Sequence, residues 1–386
     1  MEEFLVFLVP AAAVLGWLGG KWFFGQKALA RHTQTIRKGY CKGLNYLLSE
    51  KTDKAIETLA NLLASDIETI ETHVALGNLF RRRGEVQKAI EIHEELLARE
   101  SLTTEQRATA QFELGLDYLR SGLYDRAELI LANLADHPSH QRPALELLLL
   151  IYQQEKDWQK ALSCVVQLNR IARTPRGETE AQLLCELADS SLVARQYAAA
   201  DRYLDEALVK DPGCVRAVLR KAELLGRDGY FRPALDLLKT VETSRPAYIP
   251  EILRPLIHCH EQLGLPRTEL SSYLDRLAAR CRHPQVAICR AELVEADQGH
   301  GEALTYLREA SATHPSIRVL RALVRMQSRI EAVPEQRSVF QGLADTLDQL
   351  VQRQPRYRCS QCGFSGQEMH WRCPSCRQWD STVPVE

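Results

Sequence analysis

Hydrophobic residues recur along most of this chain at the spacing of amphipathic helices, and the helical pattern itself repeats. An alanine followed three or four positions later by an aliphatic or aromatic residue marks each repeat, and the first six alanines are 34 to 39 residues apart. These alanines are Ala55, Ala89, Ala127, Ala161, Ala200, Ala234 and Ala303. A glycine or alanine stands twelve positions before most of them, so two helices can cross closely at a pair of small residues. The pattern therefore predicts helical hairpins that stack to bury their apolar faces.

Two copies, "LGNLFRRRGEVQKAIEIHEELL" and "LGLDYLRSGLYDRAELILANLA", show that the repeat resembles the tetratricopeptide repeat. The first helix of a copy should end at a glycine with a left-handed backbone. Such glycines are Gly84, Gly122, Gly229 and Gly264. Prolines should stop the second helix. We expect eight copies plus a capping helix pair at about residues 316–353, so residues 26–353 are predicted to form an all-α, tetratricopeptide-like α-solenoid that binds partners through its concave face.

The first 25 residues are predicted to be a transmembrane anchor. Phe4 to Gly20 contains no charged residue, and seventeen residues of helix measure about 26 Å, close to the thickness of a bilayer core. The chain begins Met-Glu-Glu, whereas a cleaved signal peptide begins with basic residues. The basic residues follow the apolar run instead, which predicts a retained single-pass helix with the rest of the chain on the cytoplasmic side.

Three small residues fall on one face of that predicted helix. Ala12, Gly16 and Gly20 recur every four positions, and such a face lets a second transmembrane helix approach closely. Glycine and alanine are also common in transmembrane helices without a partner, so the spacing alone leaves both interpretations open.

The charge balance and the motifs of the chain exclude several classes of function. With 49 basic and 50 acidic residues the chain has no overall charge that would draw it to nucleic acid, and we predict no nucleic-acid partner. No Walker loop, dinucleotide fingerprint or GxSxG motif occurs, which predicts a binding protein rather than an enzyme. The basic stretch "FRRRGE" (residues 80–85) is interpreted as a solvated helix end.

Seven of the eleven cysteines show no paired spacing, which is typical of free thiols used as small core residues in a reducing compartment. The other four are Cys359, Cys362, Cys373 and Cys376, in two Cys-x-x-Cys pairs. Four thiolates form a closed tetrahedral site for one metal ion, zinc or iron, with no open position for catalysis. Residues 354–386 are therefore predicted to be a small metal-binding domain with an apolar pack around the site, formed by Tyr357, Phe364, Trp371 and Trp379.

The segments "YRCSQCGF" and "WRCPSCRQW" resemble a rubredoxin knuckle with a shortened insert. The short insert leaves the metal less covered, which weighs against electron transfer without excluding it. Arginines also dominate this region, so an anionic ligand such as lipopolysaccharide, or an acidic surface of the array, is a candidate partner. These arginines are Arg353, Arg356, Arg358, Arg372 and Arg377.

The order of anchor, repeat array and four-cysteine knuckle resembles the lipopolysaccharide assembly protein B family of Gram-negative bacteria over essentially the whole chain. The resemblance implies an adaptor at the inner membrane that brings the LpxC deacetylase of the lipid A pathway to an FtsH-type membrane protease. It also implies that the four cysteines bind the metal and that the knuckle packs against the repeats. A general scaffold for lipopolysaccharide assembly enzymes, or a rubredoxin-like electron carrier, remains as an alternative. The sequence specifies neither the partner-contacting residues nor the oligomeric state.

Overall fold

The computed structural model describes residue 46 and residues 52–63, 70–172, 175–281, 283–331 and 333–385. The predicted anchor, with Ala12, Gly16 and Gly20, lies outside these residues. Among the helices that are described, none combines the length and the apolar character needed to cross a membrane.

The chain divides into two compact units, Met1–Asp157 and Trp158–Glu386. In the part of the first unit that the structure describes, each helix packs on its neighbours in the sequence, as stacked hairpins require. Its helices are α1 (Thr52–Leu63), α2 (Ile70–Arg83), α3 (Val86–Leu97), α4 (Thr104–Ser121), α5 (Tyr124–Leu134) and α6 (Gln141–Glu155).

The second unit continues the helical hairpins and ends in a small sheet. Its helices are α7 (Trp158–Ile171), α8 (Gly177–Val193), α9 (Tyr197–Lys210), α10 (Val215–Arg227), α11 (Phe231–Lys239), α12 (Val241–Ser244), α13 (Ile249–Gln262), α14 (Arg267–Arg280), α15 (Pro284–Gln298), α16 (His300–Thr313), α17 (Ile317–Ile330) and α18 (Pro334–Arg353). A 3-10 turn, Pro246–Tyr248, precedes α13. The strands are β1 (Tyr357–Cys359), β2 (Ser365–Gly366) and β3 (Thr382–Pro384), with β1 between β2 and β3 and both pairings antiparallel.

The repeat signature is confirmed by the packing. All seven aligned alanines are fully buried. A Cβ atom on Gly115 would lie 3.0 Å from a methyl carbon of Leu131, and one on Gly77 would lie 2.5 Å from the ring of His93. A larger residue at either glycine would therefore force the paired helices apart or displace the side chain that packs on it.

The predicted helix ends are also confirmed. The four glycines that should end first helices have φ between 61° and 88°, in the left-handed region. At Gly122, with φ 79°, the amide caps α4 by donating to the carbonyls of Leu119 and Tyr118. The second helices α9 and α16 end at Lys210 and Thr313, each just before a proline.

A polar cluster lies inside the first unit. Arg81 Nη1 donates to Asp117 Oδ1 at 2.8 Å, and Asp117 Oδ2 lies 2.5 Å from His93 Nδ1. Arg81 also pairs with Glu113 at 2.6 Å, while Asp117 and His93 are fully buried. The interpretation of "FRRRGE" as a solvated helix end is thus wrong for Arg81, whose carboxylate partners lie more than thirty residues away.

Candidate metal centre

Two matching turns carry the four cysteines. Gly363 donates its amide to the carbonyl of Cys359 at 3.0 Å, and Arg377 donates to that of Cys373 at 2.9 Å. Both turns need a left-handed residue after the second cysteine, and the φ angles are 77° at Gly363 and 61° at Arg377. The strand pairing of β1 with β2 and β3 holds the first turn beside the end of the chain.

The turns bring the four sulfur atoms together. Cys359 Sγ lies 3.7 Å from Cys376 Sγ, Cys362 Sγ lies 3.7 Å from Cys373 Sγ, and all four lie within 4.8 Å of one another. A tetrahedral ion with metal–sulfur bonds of about 2.3 Å needs sulfur–sulfur distances of about 3.8 Å. The cluster therefore fits a tetrathiolate ion, and both zinc and iron accept that ligand set. Within the described residues no other group of three or more His, Cys, Asp or Glu side chains converges in this way.

The surroundings favour ionisation of some of these thiols and not of others. Burial opposes ionisation of Cys359, yet a hydrogen bond with the Ser381 hydroxyl and those from the amides of Cys362 and Gln361 bring its pKa down to about 6. The Phe364 amide lowers the pKa of Cys362.

Cys376 behaves in the opposite way. The amide of Gln378 favours its thiolate, but local desolvation and the hydrogen bonds with the three neighbouring cysteines outweigh it and raise the pKa of Cys376 to about 11. Crowded thiols of this kind would release their last protons to solvent when a positive ion binds, because the ion offsets the repulsion between the thiolates.

The cluster is open on one side. Cys359 and Cys373 are buried, with 1% of each exposed, whereas Cys362 and Cys376 are exposed. The ten-residue insert therefore leaves these two cysteines uncovered. Three of the four predicted aromatics also contact the helical array.

Tyr248 is the centre of that packing. Its ring, 3% exposed, stacks on Trp371 with centroids 6.0 Å apart. Its hydroxyl lies 3.0 Å from both Asp380 Oδ1 and the Thr382 carbonyl oxygen. Arg245 lies 3.8 Å from Asp380 on the other side. Residues 354–385, which we call the terminal lobe, are thus joined to the start of α13 by stacking, hydrogen bonds and charge.

Further contacts hold the terminal lobe on both flanks of Tyr248. The Tyr357 hydroxyl donates to Glu251 Oε1 on α13 at 2.9 Å. The ring of Trp379 meets that of Trp158, at the start of α7, edge-on at 6.4 Å.

The arginines of the terminal lobe do not form one patch. Arg372 is half-buried over the ring of Trp379 and donates to the Arg377 carbonyl at 3.3 Å. Arg356 instead lines a cavity together with arginines of the helices. Sequence reasoning missed those helix arginines, because their convergence with Arg356 depends on how the terminal lobe docks.

Gly363 offers a local test of the knuckle. Replacing Gly363 by alanine should destabilise the metal-loaded terminal lobe by about 1–2 kcal/mol, since a side chain penalises the left-handed backbone while a Cβ there meets no atom within 4 Å. Gly366→Ala is the matched control, because its Cβ would make only an ordinary 3.6 Å contact with Phe364. Guanidinium unfolding followed by tryptophan fluorescence measures both. Equal stability of the two variants would contradict the argument.

Known proteins share both parts of the chain. A family model described as a rubredoxin metal binding domain matches residues 357–384, and one described as a tetratricopeptide repeat matches residues 72–108. Lipopolysaccharide assembly protein B of Escherichia coli strain K12 is 32% identical over 389 aligned residues, which cover all of this chain and 98% of that protein. The protein of the same name from Haemophilus influenzae is 34% identical over 394 residues, again covering all of this chain and 98% of its own length. The chain therefore belongs to the lipopolysaccharide assembly protein B family.

Proposed function

We propose that the protein is an adaptor on the cytoplasmic side of the bacterial inner membrane that presents the LpxC deacetylase to an FtsH-type protease and so limits lipopolysaccharide synthesis. The observation that carries the proposal is the full-length similarity to relatives named lipopolysaccharide assembly protein B. In this scheme the array binds protein, and the chain itself performs no chemistry.

An exposed apolar stripe on α18 supports a role in protein binding. Val339 and Leu343 lie one helical turn apart and are 70% and 46% exposed, and Leu350 continues the stripe at 43%. Apolar side chains grouped in this way on a surface mark a contact with another macromolecule more often than single ones do.

The anchor completes the proposed mechanism. A single-pass helix at residues 1–25, with Ala12, Gly16 and Gly20 as the contact face for a membrane protease, would confine the array to the bilayer surface. Confinement raises the effective concentration of array and protease, so modest affinity on each side is sufficient.

In the metal centre, Cys359, Cys362, Cys373 and Cys376 would hold one zinc or iron ion. Such an ion would cross-link the two turns, and its four thiolate ligands would leave no coordination position free for catalysis. The cysteines and their amide donors fold the terminal lobe, and the lobe covers Tyr248.

Depletion of the protein tests the proposal. Cells depleted of it should degrade LpxC more slowly, and the wild-type chain should restore turnover, as followed by LpxC decay after translation is stopped. The variant Val339→Glu with Leu343→Glu should restore turnover poorly. Val193→Glu with Val209→Glu, at two exposed positions outside the stripe, should restore it fully.

The other outcomes separate the alternatives. Unchanged LpxC lifetime together with disturbed lipopolysaccharide assembly would favour a general scaffold. Reversible visible absorbance of an iron-loaded chain would favour an electron carrier. Unchanged LpxC lifetime on depletion would refute the proteolytic adaptor.

A further inference from the structure

A cavity of about 470 Å³ lies between the terminal lobe and helices α13, α15, α17 and α18. Four arginines from three separate segments line it. They are Arg254 on α13, Arg318 and Arg321 on α17, and Arg356 in the terminal lobe. Arg318 and Arg321 are three residues apart and so share one face of α17.

The positive charge in this cavity is only partly offset by carboxylates of the described residues. The one carboxylate among its described lining residues is Glu251, whose Oε1 already accepts the hydrogen bond from Tyr357. Arg321 lies 3.7 Å from Asp348, which is also paired with Arg325. Within the described part of the chain, Arg254, Arg318 and Arg356 form no ion pair with a carboxylate.

The arginines also repel one another and leave donors unused. Burial, with the charges of Arg356 and Arg321, lowers the pKa of Arg318. A guanidinium nevertheless stays protonated in proteins, so the repulsion persists at physiological pH. The Nε atoms of Arg318 and Arg321 are buried without a hydrogen-bond partner among the described residues. The neighbouring His283 adds no charge of its own, since burial lowers its pKa to about 4 and leaves it neutral.

We propose that this cavity binds an anion bearing one or two phosphate groups. Guanidinium forks match phosphate oxygens in pairs, and a phosphate presents acceptors in three directions, whereas a carboxylate presents two in one plane. Arginines that converge from α13, α17 and the terminal lobe suit the three directions of a phosphate group. Because the cavity is shared between the lobe and the array, the anion also links the two. The site does not depend on the proposed adaptor function.

Binding of inorganic pyrophosphate to the metal-loaded full chain in detergent, measured by calorimetry, tests the proposal. We expect saturable binding that weakens as salt is added. Arg254 and Arg356 are both exposed, so Arg254→Gln with Arg356→Gln should leave folding intact and raise Kd by about tenfold or more. Arg353→Gln, an exposed arginine outside the cavity, should change Kd less than about twofold.

A second arm identifies the source of the phosphate. Dihexanoyl phosphatidic acid, used below its micelle concentration, presents a lipid phosphomonoester. If dihexanoyl phosphatidic acid binds more tightly than pyrophosphate, the site is assigned to a lipid headgroup. If pyrophosphate binds more tightly, the site is assigned to a free anion. The proposal is overturned by absence of saturable binding of both ligands, or by equal losses in the cavity and Arg353 variants. Cellular LpxC turnover enters neither measurement, so failure here is distinguishable from failure of the adaptor proposal.

Discussion

Replacing Cys373 and Cys376 by serine should abolish metal binding and unfold the terminal lobe while leaving the helical array folded. The lobe has three strands of two or three residues, too little structure to form a core of its own. Binding of a structural zinc ion supplies about 10–16 kcal/mol in small peptides, so loss of the ion removes the largest stabilising contribution to this segment.

Three measurements check this prediction on one sample. Elemental analysis should show loss of the ion, far-ultraviolet circular dichroism should keep its helical signal, and limited proteolysis should cut the chain after α18. Cys281→Ser is the matched control, because this thiol is free, half-buried and outside the cluster. A lobe that stays protease-resistant without metal would show that docking alone holds it.

Replacing Tyr248 by alanine should detach the terminal lobe even with the metal bound. The change removes a buried ring that stacks on Trp371 and leaves a cavity, and aromatic-to-alanine changes in cores cost about 3–5 kcal/mol. Burial and the neighbouring Asp380 raise the pKa of Tyr248 well above its ordinary value, so the hydroxyl remains a donor. Tyr248→Phe keeps the ring and loses that donor, which should cost about 1–3 kcal/mol.

Urea unfolding of the metal-loaded chain ranks these variants against Tyr230→Ala, which truncates a tyrosine that is 61% exposed. We expect the control to change the free energy of unfolding by less than about 0.5 kcal/mol. Equal effects of Tyr248→Ala and Tyr230→Ala would mean that the lobe does not depend on this contact.

The repeat array and the cysteine cluster were predictable because both rest on local spacing. A small residue twelve positions before an alanine determines where two helices cross, and two Cys-x-x-Cys pairs determine two matching turns. Residues 1–25, by contrast, lie outside the described part of the chain, so the anchor stays a prediction.

The contacts between distant segments were not predictable. Tyr248 meets Thr382 across 134 residues, and Arg81 meets Asp117 across 36, with no periodicity that links either pair. Nothing in the local sequence around Arg254 or Arg356 indicates a shared site. The two residues line one cavity only because the terminal lobe docks on the helices. A charged side chain that pairs with a residue far along the chain cannot be distinguished by sequence from one that is solvated.

The separation between Tyr248 and Thr382 has a consequence during translation. A ribosome that adds about 5–20 residues per second needs on the order of 10 s to make the 134 residues between them. The array can fold during that interval, since its contacts are mostly between neighbouring helices. For those seconds the nascent chain exposes Tyr248, which the terminal lobe covers in the finished protein. Chains that terminate early, after α18, keep the array helices and never acquire the cover.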